Sequence, residues 1–314
     1  MSVKRLAVLF AGMPRFYSES SSFVLDFFKT QDYEVDFFIH SWTNCWLNKY
    51  KQKENLVLNH DKKQLEDSLC KIYNPKKIKV EDQLECETLM NSHDLYKKAI
   101  LYTDENFQGF KARNKWREKL DNQQHFLNNI NAGQLYSIAE ASRLRSEYEQ
   151  ENDFKYDLVL RYRLDNLQKE GVKLEDQIQG VYKSITDIHN PYPHNPVNCK
   201  KVLSVNWLSI KKNQLHVGDR IFISDSEGFD NFNNLLGFQM TRLMEYISTK
   251  SKDDPDHFFS CPEACMGSLV QRTGMMASAS LNCEIINYRE SFKGLVDQSW
   301  DNLNKKWHKD KLFL

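Results

Sequence analysis

The chain has 314 residues, 43 Lys and Arg against 43 Asp and Glu, and 40% hydrophobic residues. That is ample for the core of one large α/β domain or two modest ones, and it excludes wholesale disorder. Zero formal net charge argues against a nucleic-acid-coating role, and no apolar run nears the ~20 residues of a membrane span.

The first element is RLAVLFAG, whose apolar part runs only from Leu6 to Ala11. That is shorter than the roughly 7–15 residues of a signal h-region, and no small-residue cleavage site follows it. It reads as a buried central strand ending at Gly12. A Ser-rich stretch then leads into Phe23, Val24, Phe27 and Phe28, whose i, i+4 spacing predicts one apolar helix face. EVDFFIHSW is the second predicted strand and PKKIKVED the third. Strand, crossover helix and strand predict a mainly parallel sheet with right-handed connections.

From about 91 to 150 the pattern is helical and charged. Leu135, Ile138, Ala141, Leu144 and Tyr148 recur every three or four residues, so this segment ends in an amphipathic helix. It runs into FKYDLVLRYRLDN, the clearest strand of the second half. HNPYPHNPVN carries Pro191, Pro193 and Pro196 and reads as a loop or surface crossover. KVLSVNWLSI and DRIFIS are the next predicted strands. A helix is expected from about Phe229 to Ile247 and a last one near Pro262 to Arg272, followed by Gly274. With no repeat and no low-complexity linker, residues 1–314 read as one continuous domain, with a C-terminal extension from about 290 to 314.

The seven cysteines, Cys45, Cys70, Cys86, Cys199, Cys261, Cys265 and Cys283, are odd in number and scattered. That predicts a reducing, cytoplasmic setting. Cys261 and Cys265 lack a second Cys/His pair at ligand spacing, so a zinc site is not expected.

Ligands of open parallel α/β sheets bind beyond the carboxyl ends of the strands, and four segments put unusual polar residues there. Gly12-Met13-Pro14-Arg15 follows the first strand. Gly permits a tight turn and Arg offers a planar fork for phosphate oxygens, against the reading of a plain turn with a solvated Arg. It is neither a dinucleotide fingerprint nor a P-loop. In Arg161-Tyr162-Arg163-Leu164-Asp165-Asn166, strand alternation puts Arg161, Arg163 and Asp165 on one face. An anion with a divalent cation would satisfy all three, and the competing reading is a wet edge strand. His216-Val217-Gly218-Asp219-Arg220 offers Asp219 at the mouth of DRIFIS, or else an ordinary turn Asp beside an exposed Arg. Ser260-Cys261-Pro262-Glu263 has the spacing of a capping box, so Glu263 is a cap, a ligand-acting carboxylate, or both.

Together, a first strand ending G-x-P-R, DFFIHSW, QLYSIAEASRLRSEYE, YDLVLRYRLD and GDRIFIS resemble a family of nucleotide-sugar-dependent glycosyltransferases with the GT-A fold, found in bacteria, phages and large DNA viruses. The resemblance spans Leu6 to about Gly274, and YDLVLRYRLD is its most specific part. It implies a single GT-A-like domain, a Rossmann-like, mainly parallel mixed sheet flanked by helices. By the resemblance, Gly12, Arg15, Arg161, Arg163 and Asp165 bind the nucleotide-diphosphate sugar. Asp165 takes the place of the DxD carboxylate that holds manganese or magnesium, with Arg163 standing where a DxD has its other Asp. Glu263, eleven positions before Gly274, takes the place of the general base on the acceptor hydroxyl. Asp219 is the second choice for the base, or a grip on the donor sugar. The expected activity is transfer of a sugar to a glycan or other hydroxyl acceptor. The alternatives are a non-catalytic nucleotide- or glycan-binding module of the same fold and, more distantly, a nucleotidyltransferase.

Overall fold

The structure is a computed structural model that describes residues 4–18, 20–48, 55–82, 85–86, 130–168, 173–175, 177–178, 202–205, 208–211, 214–218, 220–231, 233, 266–267, 270, 276–278 and 285–287. It is an α/β protein. β1 (Lys4–Gly12) pairs in parallel with β2 (Tyr33–Trp42) on one side and β6 (Leu158–Tyr162) on the other. β2 pairs in parallel with β5 (Lys77–Glu81). Beyond β6 lie β11 (Ile221–Asp225), β8 (Val202–Val205) and β12 (Met276–Ser278). The seven-stranded order is β12-β8-β11-β6-β1-β2-β5, and β11 is the strand antiparallel to its two neighbours.

The continuous apolar run of β1 has a direct cause, because both faces of the strand are covered. Leu6, Val8 and Phe10 face α1 (Ser21–Phe27) and α2 (Lys62–Tyr73), packing with Val24, Phe27, Leu65, Leu69 and Tyr73. Ala7, Leu9 and Ala11 face α3 (Ile130–Glu151), packing with Leu135, Ile138, Ala141 and Leu144. Leu6 through Phe10 are fully buried, so truncating Leu9 to Ala would cost ~2–5 kcal/mol. α2 is well terminated. The Asp61 side chain accepts from the Gln64 amide at 2.9 Å, and Asn74 closes the helix in the left-handed region.

β1, α1, β2, α2 and β5 build outward in one direction with their helices on one face. α3 returns across the opposite face to deliver β6 on the other side of β1, as crossovers of one hand require. Lys77 at the start of β5 pairs with Glu151, Lys79 with Glu140, and Glu81 meets Tyr136. α3 therefore runs antiparallel to the strand, its N-terminus at the carboxyl edge of the sheet. The carboxyl ends of β1 and β6 form the point where the strand order reverses.

Three short pairs decorate this sheet: β3 (Asn44–Asn48) with β4 (Asn55–Asn59), β9 (Leu208–Lys211) with β10 (Gln214–Val217), and β7 (Asn166–Gln168) with β13 (Ile285–Asn287). KVLSVNWLSI, expected as one strand, is two: β8 in the large sheet and β9 in a separate hairpin. The helix expected from Phe229 begins earlier, at 226, where the Asp225 carboxylate accepts from the Gly228 amide at 2.6 Å. Of the charged stretch from 91 to 150, only the part from 130 is described, and it is α3. The Pro-rich loop and the extension from about 290 lie outside the described residues, as do Pro262 and Gly274.

Candidate functional site

Gly12 closes β1 at the reversal point with φ +123°, a conformation that side-chain-bearing residues rarely adopt, and a Cβ built there meets no atom of the described residues within 4 Å. The Arg15 amide donates to the Met13 carbonyl at 2.8 Å, a tight turn, and Phe16 follows with φ 49°. Buried Ser20 fastens this loop. Its hydroxyl lies 2.8 Å from the Phe16 carbonyl and 2.5 Å from the Leu164 carbonyl, so the loop after β1 is pinned to the turn after β6.

β6 ends at Tyr162, and Arg163 to Asn166 form a turn in which the Asn166 amide donates to the Arg163 carbonyl at 3.1 Å. Strand geometry therefore covers Arg161 alone of the three, and Arg163 and Asp165 sit on the turn beyond it. Leu160, Tyr162 and Leu164 do face α1 and α2. Arg161 lies on the buried α3 side, its guanidinium carbon 5.9 Å from the Phe222 ring centre. β6 is an interior strand, so the edge-strand reading falls.

Arg163 turns back on Asp165 and grips it with two bonds, Nε to Oδ1 at 2.8 Å and Nη2 to Oδ2 at 2.7 Å. Burial alone pushes the Asp165 carboxyl up. The charge and hydrogen bonds of Arg163, then the charges of Arg15 and Arg220, outweigh it and hold the group below the usual carboxylate range. Asn166 ties in the third arginine, donating from Nδ2 to the Arg220 carbonyl at 3.0 Å. Three guanidiniums thus bear on one carboxylate.

A divalent cation was expected on Asp165. Both carboxylate oxygens already accept from Arg163, and a dication there would face the repulsion of the surrounding guanidiniums. Among the described residues, no three His, Cys, Asp or Glu side chains come together to hold a metal. The described donor set does not fit one. Asp219 and Glu263, proposed for the base, lie outside the described residues. Arg220 is a further candidate that local sequence pattern does not single out. The signal for it is the antiparallel pairing of Ile221 with Tyr162, which carries residue 220 to the end of β6 where the Arg163 turn begins.

One strand over, His40 sits level with Ala11 in the β1–β2 register. Its Nε2 lies 2.9 Å from Glu81 Oε2 and its Nδ1 2.7 Å from Ser137 Oγ. A carboxylate only accepts, so Nε2 carries the proton, and Nδ1 accepts from Ser137. Burial lowers the His40 pKa against the pull of Glu81, keeping the ring neutral. Burial works against Glu81 ionising, yet the His40 hydrogen bond and Lys79 bring its pKa down to about 2. The order Ser, His, Glu is that of a nucleophile relay, but His40 and Ser137 are fully buried. It clasps β2 and β5 to α3. Burial, then Glu81, pushes the neighbouring Cys86 thiol up to about 12, so it is not a nucleophile.

No protein-family model matches the chain, and neither does any curated protein.

Proposed function

We propose that the protein is a glycosyltransferase of GT-A type that moves a sugar from a nucleotide-diphosphate donor to a glycan or other hydroxyl acceptor. The observation that carries this reading is the arginine cluster at the reversal point of a mainly parallel sheet, where the Arg15 loop and the Arg163–Asn166 turn are hydrogen-bonded together. Such a point is where open α/β sheets take their ligands. Guanidiniums there suit a diphosphate, whose oxygens match their fork. No described residue crowds the Gly12 Cβ position, so a ligand could approach the backbone there.

In this reading the acceptor oxygen loses its proton to Glu263, or to Asp219, and attacks the anomeric carbon. The bond to the diphosphate breaks, and its negative charge falls to Arg15, Arg163 and Arg220. No helix among the described residues is long and apolar enough to cross a membrane. The free thiols of Cys70 and Cys86 suit a cytoplasmic setting.

A thermal-shift screen of UDP-, GDP-, dTDP- and CMP-sugars, with and without manganese, tests the reading. A true donor at about 100 times its Kd adds ~2.7 kcal/mol of stability, and Arg15→Ala should remove most of that shift. If no nucleotide sugar moves the melting temperature, the donor-site reading fails. A non-catalytic binding module is the second reading, favoured by the hold of Arg163 on the expected metal-binding carboxylate. It predicts donor binding without hydrolysis or transfer.

A further inference from the structure

We infer that the diphosphate is neutralised by the guanidiniums of Arg15, Arg163 and Arg220 without a divalent cation, and that Asp165 is a positioning residue that aims Arg163. The inference rests on the diphosphate-site reading and deepens it. Arg163 spends its Nε–Nη2 edge on Asp165, and because the group is planar, that bidentate grip fixes the direction of its Nη1 edge. The side chains are mostly buried, Arg163 at 18% exposure and Asp165 at 6%, so the fork is held in one orientation.

Two further hydrogen bonds bring the other arginines to the same turn. Ser20 ties the loop bearing Arg15 to the Leu164 carbonyl, and Asn166 takes the Arg220 carbonyl. Arg15 and Arg220 add their charges at Asp165. A pyrophosphate group bound here would meet oriented positive charge in a site of restricted solvent access, where each charge acts more strongly than in water. A metal ion would instead have to displace Arg163 from Asp165 and then sit among like charges.

The two roles for Asp165 differ in how its loss depends on magnesium. If it positions Arg163, Asp165→Asn, which keeps only one acceptor oxygen, breaks the bidentate grip and weakens binding equally with and without magnesium. If it ligates a metal, the same change removes the main ligand and weakens binding only where magnesium is present.

The test is calorimetric titration of the full chain with inorganic pyrophosphate, in excess EDTA and again in magnesium. We expect binding in EDTA that magnesium improves by no more than about threefold, a small step on the tenfold scale of a typical contact. Asp165→Asn should weaken pyrophosphate binding by the same factor in EDTA and in magnesium. Arg163→Gln and Arg220→Gln should each weaken binding about tenfold, the scale of one lost charge-assisted hydrogen bond. Should the buried Asp165–Arg163 pair prove too important for folding, Arg220→Gln carries the test alone, with circular dichroism reporting on its fold. Binding that appears only with magnesium, or an Asp165→Asn effect that is absent or confined to magnesium, overturns the inference and leaves the diphosphate site standing. Binding in neither buffer overturns both.

Discussion

Arg163 and Asp165 are two residues apart, and the guanidinium of one holds both carboxylate oxygens of the other at 2.7–2.8 Å. β6 stops at Tyr162, and the pair sits in the turn beyond it, where the Asn166 amide donates to the Arg163 carbonyl. Arg163 thereby occupies the carboxylate oxygens that a divalent cation would need.

Gly12 offers a direct probe of how closely a ligand approaches the backbone. Gly12→Ala meets no described residue within 4 Å of the added Cβ, but it must adopt φ +123°. The strain should lower stability by ~1–2 kcal/mol, read as a shift in the urea midpoint. If a ligand packs against the Gly12 backbone, affinity for the donor should also fall, at temperatures where the variant is fully folded. Unchanged affinity would move the ligand away from this turn.

Much of the sheet was legible because burial on both faces writes itself as an apolar run. RLAVLFAG, DFFIHSW, LVLRY and IFIS all lie in strands of the large sheet. α3 was legible from Leu135, Ile138, Ala141 and Leu144, which pack on β1 as their spacing requires. The β3–β4 hairpin was not, since NCWLN and NLVLN are joined by a charged stretch without Gly or Pro. Nor was the split of KVLSVNWLSI, whose apolar pattern runs on where the pairing partner changes. The site was half legible. Gly12, Arg15, Arg163 and Asp165 could be named from local pattern, whereas Arg220 needs the β6–β11 register, and the His40–Ser137 contact joins residues 97 apart.

Glu263→Gln separates catalysis from capping. Gln can still serve in a capping box with Ser260, so the folded state should lose well under the ~0.5–2 kcal/mol of a lost cap. A general base is a different matter, and its removal should reduce transfer by about 10²–10⁴. We expect the variant to melt near the parent temperature, bind donor normally and fail to transfer. Transfer at the parent rate would make Asp219 the residue to test.

Arg145 predicts a sharp contrast with its near neighbour Arg143. Arg145 is fully buried, donating to Glu149 at 3.1 Å and Ser226 at 2.7 Å and pairing with Asp230. Arg145→Ala leaves the buried Glu149 carboxylate with Lys155 as its remaining cation and should cost about 3 kcal/mol, the low end for a broken buried pair. Arg143 pairs with Glu140 and Glu147 on the same helix but is 44% exposed. Solvent screening should hold Arg143→Ala to under ~1 kcal/mol. Denaturant midpoints for the two variants decide it, and equal losses would refute the buried-network account.

The clasp at His40 should make the protein sensitive to mild acid. His40 faces Glu81 and Lys79 from β5 and Tyr136, Ser137 and Glu140 from α3, and burial lowers its pKa from the ordinary 6.5. Below that value the unfolded chain takes up a proton that the folded chain resists, so folding stability falls as pH falls. The slope for one such proton is at most ~1.4 kcal/mol per pH unit. Glu81 acts in a lower window. Its folded pKa is depressed from 4.5 to about 2, so its contribution is complete above 4.5 and disappears as pH drops toward 2. His40→Gln can keep a hydrogen bond to Glu81 without titrating. Melting temperatures from pH 8 to 5 should therefore decline less steeply for His40→Gln than for the parent below about 6.5. Parallel profiles across that range would mean that His40 titrates freely, and that the clasp is not the source of acid sensitivity.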